Sequence, residues 1–102
     1  MNTQQILEIA IQEKKQVSAT YKGLRREMCP HALGFKKGKL HCLFYQFGGD
    51  SSSGIIVPGS PNNWRCIDVT GLSDVVTQIG PWHTANNHSR GNHCIDTLLI
   101  EV

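Results

Sequence analysis

The chain has 102 residues, of which 39% are hydrophobic and 18% are charged, with a formal net charge of +2. This length supports a single domain with one core rather than two. No apolar run reaches the roughly 18 residues of a membrane-spanning helix, so we expect no association with a membrane. The first residues lack the pattern of a signal peptide, and we therefore expect a cytoplasmic protein whose four cysteines remain thiols.

The small net charge hides an uneven distribution. Residues 14–39 hold eight of the ten basic residues and a single acid, Glu27, which gives this segment a formal charge of +7. The remainder of the chain has a formal charge of −5. A localised positive field attracts anions even when the total charge is small. The charge distribution therefore favours an anionic partner.

The N-terminus predicts one amphipathic helix over residues 3–15. Asn2 or Thr3 can cap it, and Gln5 lies three residues after Asn2, as in a loose capping box. The apolar residues that recur at helical spacing are Ile6, Leu7, Ala10 and Ile11. We expect this helix to pack over the end of a sheet.

Residues 17–47 predict strands separated by turns that contain glycine. A first strand at 17–21 alternates apolar and polar residues, and Lys22-Gly23 then turns the chain. A second strand at 24–29 is expected to end at Pro30, because proline has no N–H to donate to a ladder. Residues 31–35 continue extended to a turn at 36–38. The strand at 39–47 is apolar on both faces, which is typical of a central position in a sheet.

The second half of the chain predicts shorter elements. In chain order these are a flexible loop at 48–54, a short strand at 55–57, a loop at 58–63, a strand at 64–69, either two helical turns or a strand at 72–79, and a last strand at 94–102. One helix followed by five or six short strands indicates a mainly β protein, with a small, strongly bent sheet or barrel.

Taken in order, these segments resemble the WYL domain of bacterial transcription regulators. The resemblance covers about residues 6–76, and its motifs are Ala10-Ile11 to Val17, Ala19-Thr20-Tyr21, Arg25-Arg26, the segment from Met28 to Gly34, the segment from Lys39 to Leu43, and the segment from Arg65 to Leu72. The name-giving triplet is His41-Cys42-Leu43, and Gly71 replaces the second arginine of the last motif. We predict one WYL-like domain over 1–102, with a core at about 6–79 and a C-terminal extension at 80–102.

The resemblance implies an Sm-like or SH3-like small β-barrel with one N-terminal helix. It also implies a sensor that binds a negatively charged ligand, often a nucleotide or single-stranded nucleic acid. At the positions that match the family's motifs, the side chains expected to line the site are Tyr21, Arg25, Arg26, His31 and Arg65.

The residue types also predict an anion-binding face. The basic candidates are Lys22, Arg25, Arg26, Lys36, Lys37 and Lys39, and the aromatic candidates for base stacking are Tyr21, Tyr45, Phe47 and Trp64. The alternative is that the lysines protect sheet edges in solvent and the aromatic residues belong to the core. Arg25 and Arg26 point to opposite faces of a regular strand, so only one of them enters a given pocket unless a bulge intervenes.

The C-terminal tail contains the residue types of a zinc site, namely His83, His88, His93 and Cys94, with Asp96 nearby. Their spacing fits no standard zinc finger, so we predict no cofactor and keep zinc at these residues as an alternative. Cys29 and His31 have the types for thiolate–imidazole catalysis, but no third group that would orient them is evident. We therefore predict no enzyme.

These observations together predict a non-catalytic sensing or regulatory module that binds a nucleotide or single-stranded nucleic acid. The predicted contacts are Tyr21, Lys22, Arg25, Arg26, His31, Lys39 and Arg65. Because a lone sensing domain has no output of its own, we expect a homodimer or a complex with a regulatory or effector chain. Two alternatives remain: a protein-interaction subunit that pairs an edge strand with a partner, and a small metal-dependent enzyme that uses the His-rich tail.

Overall fold

The computed structural model describes residues 2–51, 54–57, 59–85 and 94–102. Within these ranges the elements are α1 (Thr3–Glu13), β1 (Gln16–Tyr21), β2 (Leu24–Lys36), β3 (Lys39–Gly49), β4 (Trp64–Asp68), a 3-10 turn (Val69–Gly71), β5 (Leu72–Gln78) and β6 (Thr97–Glu101). The predicted mainly β class with one N-terminal helix is confirmed. No helix in these ranges is long and apolar enough to cross a membrane.

Helix α1 begins at the predicted capping box. The Asn2 side chain accepts the Gln5 N–H at 2.9 Å, and the Gln5 side chain accepts the Asn2 N–H at 3.1 Å. The helix ends at Lys14, whose left-handed backbone, with φ of 52°, leads the chain into β1. The buried residues of the helix are Leu7, Ala10 and Ile11.

Strands β1, β2 and β3 form a meander joined by two tight turns. Lys22-Gly23 has consecutive positive φ angles of 51° and 75°, and Lys37-Gly38 has angles of 51° and 79°. Two-residue turns of this kind match the twist of the strands that they connect, and glycine adopts positive φ without a steric penalty. Both turns predicted from the sequence are confirmed.

Strand β2 is longer than predicted, because Pro30 does not end it. The strand runs from Leu24 to Lys36. Its register with β3 shifts between Pro30 and Ala32, so the proline lies at an irregularity of the ladder rather than in a regular part of it. On its other edge, β2 pairs with β1 up to Met28 and with β6 from Ala32 onward. Pro30 therefore marks the point where β2 changes its neighbour.

The sheet is open and antiparallel. Its strand order is β4-β3-β2-β1-β5, and β6 adds to the second half of β2. Strand β3 lies between β2 and β4 and is buried on both faces from Cys42 to Gln46, which confirms its predicted central position. No pairing joins β4 to β5 in the part of the chain that the structure describes, so closure into a barrel stays a prediction.

The two faces of the sheet are covered by different parts of the chain. The core face packs on α1, and its buried residues include Val17, Met28, Leu33, Phe44 and Ile67. The outer face has a smaller buried cluster, which consists of Ala32, Leu43 and Cys94 with the partly buried Trp64 and Ile95. Residues of the C-terminal extension thus cover the outer face, while β6 extends the sheet beside β2.

The connection between β3 and β4 differs from its prediction. Residues 55–57 do not form a strand, and Ile55 is 94% exposed. An apolar triplet becomes a strand only where it pairs with a neighbouring strand, and here β4 rather than residues 55–57 pairs with the edge of β3. Residues 72–79, which fitted either two helical turns or a strand, form β5 up to Gln78.

The expectation that all four cysteines remain thiols is wrong for two of them. Cys66 of β4 and Cys94 form a disulfide, with Cα atoms 6.0 Å apart, inside the usual range for such a bond. The two cysteines are 28 positions apart in the sequence, and no short motif predicts that the fold brings them together. Cys29 and Cys42 are free and buried.

Candidate anion-binding site

The basic segment does not form one continuous face. Lys22 lies in the turn before β2 and Lys37 in the turn after it, so the thirteen residues of β2 separate the two groups of lysines. Lys36 and Lys39 flank the second turn, and Lys39 is exposed there. The charges predicted to act together are therefore divided between two ends of the strand, and only the end near Lys22 also has buried arginine.

Arg25 and Arg26 lie on opposite faces of β2, as the strand period predicts. Arg25 is exposed, and its Nη1 donates to the Asp74 backbone oxygen at 2.7 Å and to Thr20 Oγ1 at 3.4 Å. Arg26 is only 2% exposed and faces the core side of the sheet. The two neighbouring arginines thus have different roles, and Arg26 is the one that enters the interior.

The guanidinium of Arg26 is incompletely satisfied. Its Nη1 donates to Gln46 Oε1 at 3.4 Å, and its central carbon lies 5.2 Å from the centre of the Tyr21 ring. Its buried Nε has no hydrogen-bond partner among the described residues, and no described carboxylate forms an ion pair with this side chain. A buried polar donor without a partner typically costs about 1–3 kcal/mol, more if charged, and calls for an explanation.

The acceptor for Arg26 Nη1 is the side-chain oxygen of Gln46, and other hydrogen bonds hold this oxygen in place. Gln46 is fully buried, and its Nε2 donates to the backbone oxygens of Gly48 at 3.0 Å and Asp50 at 2.6 Å. Because both amide hydrogens are used in this way, the amide oxygen is held toward Arg26. Sequence reasoning missed Gln46, although a polar residue in an otherwise apolar central strand was the signal that marked it.

Arg65 is the second arginine of this region. Its Nη1 donates to the Asn62 backbone oxygen at 2.7 Å, and its Nη2 donates to Ser51 Oγ at 3.1 Å. Partial burial, and then the nearby charge of Arg26, lower the pKa of the Arg65 guanidinium. Arg65 also lines a cavity of about 430 Å³, together with Ile55, Val57, Ser60, Asn62 and Asn63.

The convergence of these side chains follows from strand geometry. Met28 pairs with Gln46, and Phe44 pairs with Arg65, so each pair shares a face. Arg26 lies two residues before Met28 on the same strand and therefore points to the same side. The side chains of Arg26, Gln46 and Arg65 thus lie on the same face as the apolar core, just beyond its end. Gln46 and Arg65 contact the connection between β3 and β4 there.

Tyr21 and Lys22 complete this end of the sheet. The Lys22 Nζ atom lies 5.5 Å from the centre of the same Tyr21 ring that contacts Arg26. A Cβ atom added to Gly71 would lie 2.9 Å from Cε1 of Tyr21. The ring therefore occupies the space beside the position where the WYL pattern has a second arginine, and Gly71 is required for packing rather than for an unusual backbone.

His31 lies on the outer face, away from Arg26. Its Nδ1 donates to the Cys29 backbone oxygen at 2.9 Å, and its Nε2 is 3.0 Å from Thr84 Oγ1. The ring centres of Trp64 and Trp82 each lie 4.8 Å from that of His31. Of the seven predicted contacts, the structure brings together Tyr21, Lys22, Arg26 and Arg65, and it places Arg25, His31 and Lys39 elsewhere.

The proposed metal ligands that the structure describes, His83 and Cys94, have other partners. His83 stacks on Phe47 with ring centres 4.2 Å apart, and Cys94 belongs to the disulfide. His88 and His93 lie outside the described residues. Within the described ranges, no three His, Cys, Asp or Glu side chains are grouped as metal ligands require.

Cys29 and His31 are not arranged as a nucleophile and its base. Burial raises the pKa of Cys29 to about 11, although the N–H that His83 donates to its sulfur acts in the opposite direction. The imidazole contacts the backbone oxygen of Cys29 rather than its sulfur. The thiol is therefore protonated at neutral pH and suits packing better than attack on a substrate.

Comparisons with protein-family models, with curated proteins and with solved structures find no match to this chain. The resemblance to the WYL domain therefore stays a prediction, and the function has to be argued from the geometry around Arg26.

Proposed function

We propose that this chain is a non-catalytic sensing module that binds an anionic ligand, a nucleotide or a short single-stranded nucleic acid, at Arg26 and Arg65. The observation that supports this proposal is the buried guanidinium of Arg26, whose Nε lacks a partner. The guanidinium of Arg65 lies close enough to be affected by its charge. A phosphate beside Arg26 supplies the acceptor that its Nε lacks and the negative charge that this buried cation lacks.

The energetic argument favours a ligand over a purely structural role. A buried cation without a counter-ion destabilises a fold, and ionisable groups in such perturbed environments are concentrated at functional sites. Hydrogen bonds between arginine and phosphate are charge-assisted and about twice as strong as neutral ones. An anion that binds to Arg26 removes this destabilisation, and the free energy recovered in this way adds to its affinity.

The side chains around the two arginines have positioning roles in this proposal. Tyr21 packs against Arg26, and Gln46 holds its Nη1. Arg65 contacts both ends of the connection between β3 and β4, through Ser51 and Asn62. An anion that engages Arg65 competes with these contacts, and the connection therefore offers a means by which a partner chain detects the bound ligand.

The experiment is a titration of the purified chain with common nucleotides and a labelled single-stranded oligonucleotide. Phosphate binding weakens steeply as salt rises from about 50 mM to about 200 mM. Arg26→Met is expected to abolish binding, whereas Arg25→Met, which removes the same charge from the opposite face of β2, is expected to change it little. If no anion binds even at low salt, or if both variants behave alike, the proposal is wrong.

A second candidate function rests on the edge strands. Strand β5 has one unpaired edge within the described sheet, and Ile79, just beyond its end, is 90% exposed. An extended segment of a partner chain could pair with this edge. Association of that kind depends little on salt, and Val76→Lys on β5 is expected to abolish it while leaving anion binding unchanged.

A further inference from the structure

We infer that the Cys66–Cys94 bond is a site of thiol–disulfide exchange, which an external thiolate opens by attack on the Cys66 sulfur while the chain stays folded. The co-reactant is a thiol, either a small monothiol or a dithiol. This inference does not depend on the proposed anion site, because Cys94 packs on the outer face of the sheet and Arg26 faces the core side.

The two cysteines of the bond differ in their access to solvent. Cys66 on β4 is exposed, whereas Cys94 is only 3% exposed. Strand β4 ends the described sheet on its side, so no described strand pairs with its outer edge. Cys94 instead packs with Ala32 and Leu43 in the buried cluster of the outer face. Exchange depends on which sulfur a thiolate can reach, and access therefore selects Cys66.

The strand register explains this difference. Leu43 of β3 pairs with Ala32 of β2 on one side and with Cys66 of β4 on the other, so the three side chains form a row across the outer face. Cys94 packs on Ala32 and Leu43, the two inner members of this row. Cys66 ends the row on the edge strand. One cysteine is thus covered by its own cluster, and the other lies at the rim.

The exchange conserves atoms and electrons in two steps. A thiolate forms a bond with the Cys66 sulfur, the Cys66–Cys94 bond breaks, and Cys94 leaves as a thiolate that takes up a proton from solvent. A dithiol then uses its second thiolate to attack its own first sulfur, so that Cys66 leaves as a thiolate and the reagent becomes a cyclic disulfide. The two electrons that the cysteines gain come from the dithiol. A monothiol stays attached to Cys66 until another thiolate displaces it.

Other contacts hold the C-terminal strand after the bond opens. Strand β6 pairs with the second half of β2. The Asp96 N–H donates to the Phe35 backbone oxygen at 2.8 Å, and the Lys37 N–H donates to the Asp96 carboxylate at 3.0 Å. None of these contacts involves the disulfide. Exchange therefore detaches Cys94 from β4 while β6 remains in the sheet, and it leaves the reagent on the exposed Cys66.

The first test measures how fast dithiothreitol reduces the wild-type chain at several urea concentrations well below the unfolding midpoint. Direct attack on the folded chain should give a rate that is nearly independent of urea. If the bond opened only after unfolding, the rate would rise about fivefold or more for each molar step of urea, as the urea dependence of small proteins implies.

The second test locates the reactive sulfur with two matched variants, Cys94→Ser and Cys66→Ser. Both lose the cross-link, and each keeps one cysteine of the pair as a free thiol. Oxidised glutathione should form a mixed disulfide with Cys66 in the first variant. The reaction of Cys94 in the second variant should be at least about tenfold slower, because a buried thiol reacts only during local opening. Mass mapping of the peptides identifies the modified cysteine and separates it from Cys29 and Cys42.

Each outcome decides for or against the inference. Reduction that does not depend on urea, together with faster labelling of Cys66, supports it. A rate of reduction that rises with urea overturns it, because the bond then opens only when the chain unfolds. Equal labelling in the two variants, or faster labelling of Cys94, also overturns it. The anion titration is a separate measurement, so the proposed function can fail while this inference stands, and the reverse.

Discussion

Arg26 and His31 lie five positions apart on β2, and both are almost completely buried, at 2% and 3% exposure. Both are ionisable, and both were predicted to contact a ligand. His31 has hydrogen bonds to both ring nitrogens and tryptophan rings beside it, whereas Arg26 has a donor without a partner. Burial alone therefore does not identify a binding residue. The difference that supports the proposed role of Arg26 is its unsatisfied donor, because a buried donor without a partner calls for an explanation.

The two residues also differ in what covers them. The C-terminal extension covers His31 through Thr84 and Trp82, and the Cys66–Cys94 disulfide ties this extension to β4. Arg26 lies beneath the connection between β3 and β4, which Gln46 and Arg65 hold by hydrogen bonds. The segment over His31 is held by a covalent cross-link, which suits a structural cluster. The segment over Arg26 is held by hydrogen bonds, which a bound ligand can replace.

The largest expected effect concerns the disulfide. Reduction of Cys66–Cys94 removes a cross-link across 28 positions and should lower the free energy of unfolding by about 3–4 kcal/mol. Urea unfolding with and without a dithiol reductant measures this change. Cys66→Ser is the control, since the reductant should leave its midpoint where it is. A wild-type midpoint that the reductant does not move would contradict the structural role assigned to the cross-link.

The second prediction removes His31. His31→Ala leaves Thr84 and the Cys29 carbonyl without their partner and opens a cavity between the aromatic rings, so the free energy of unfolding should fall by about 2–4 kcal/mol. Affinity for phosphate should not change, because the ring lies on the outer face. Near-ultraviolet circular dichroism of the tryptophans reports the lost packing. A loss of phosphate affinity equal to that of Arg26→Met would remove the contrast between the two residues.

The smallest expected effect has the opposite sign. Arg26→Met replaces an incompletely bonded buried cation with an apolar side chain of similar length, and the free energy of unfolding should rise by about 1 kcal/mol. Urea unfolding in phosphate-free buffer measures it. The same change at Arg25, which is exposed, should have almost no effect. If Arg26→Met is instead destabilised as strongly as His31→Ala, Arg26 is a structural residue like its neighbour.

Local patterns predicted most of the fold. The capping box at Asn2, the glycine turns at 23 and 38, and the central position of β3 each follow from a few adjacent residues. The prediction that the second strand ends at Pro30 is wrong, because a register irregularity and a change of neighbouring strand accommodate the proline within β2. The Cys66–Cys94 pair was missed for a related reason, since it depends on contacts between distant segments.

The candidate site was predictable only in part. Alternation along β2 showed that Arg25 and Arg26 face opposite sides, but it did not show which of them enters the interior. That choice follows from the burial of Met28 on the same face. Gln46 and Ser51 were not predicted, because their roles depend on hydrogen bonds to backbone oxygens and to Arg65. The predicted list therefore includes charged residues that the structure places apart from Arg26, and it omits the neutral polar side chains of Gln46 and Ser51.

The late position of β6 in the sequence has a consequence for folding kinetics. The meander from β1 to β3 forms through contacts between near neighbours, whereas β6 pairs with β2 only after the intervening residues 37–96 have been synthesised. A nascent chain that stops before residue 94 therefore has an unpaired β2 edge beyond Pro30 and an unpaired Cys66. We expect aggregation of incomplete chains to begin at this edge, since exposed strand edges recruit other strands.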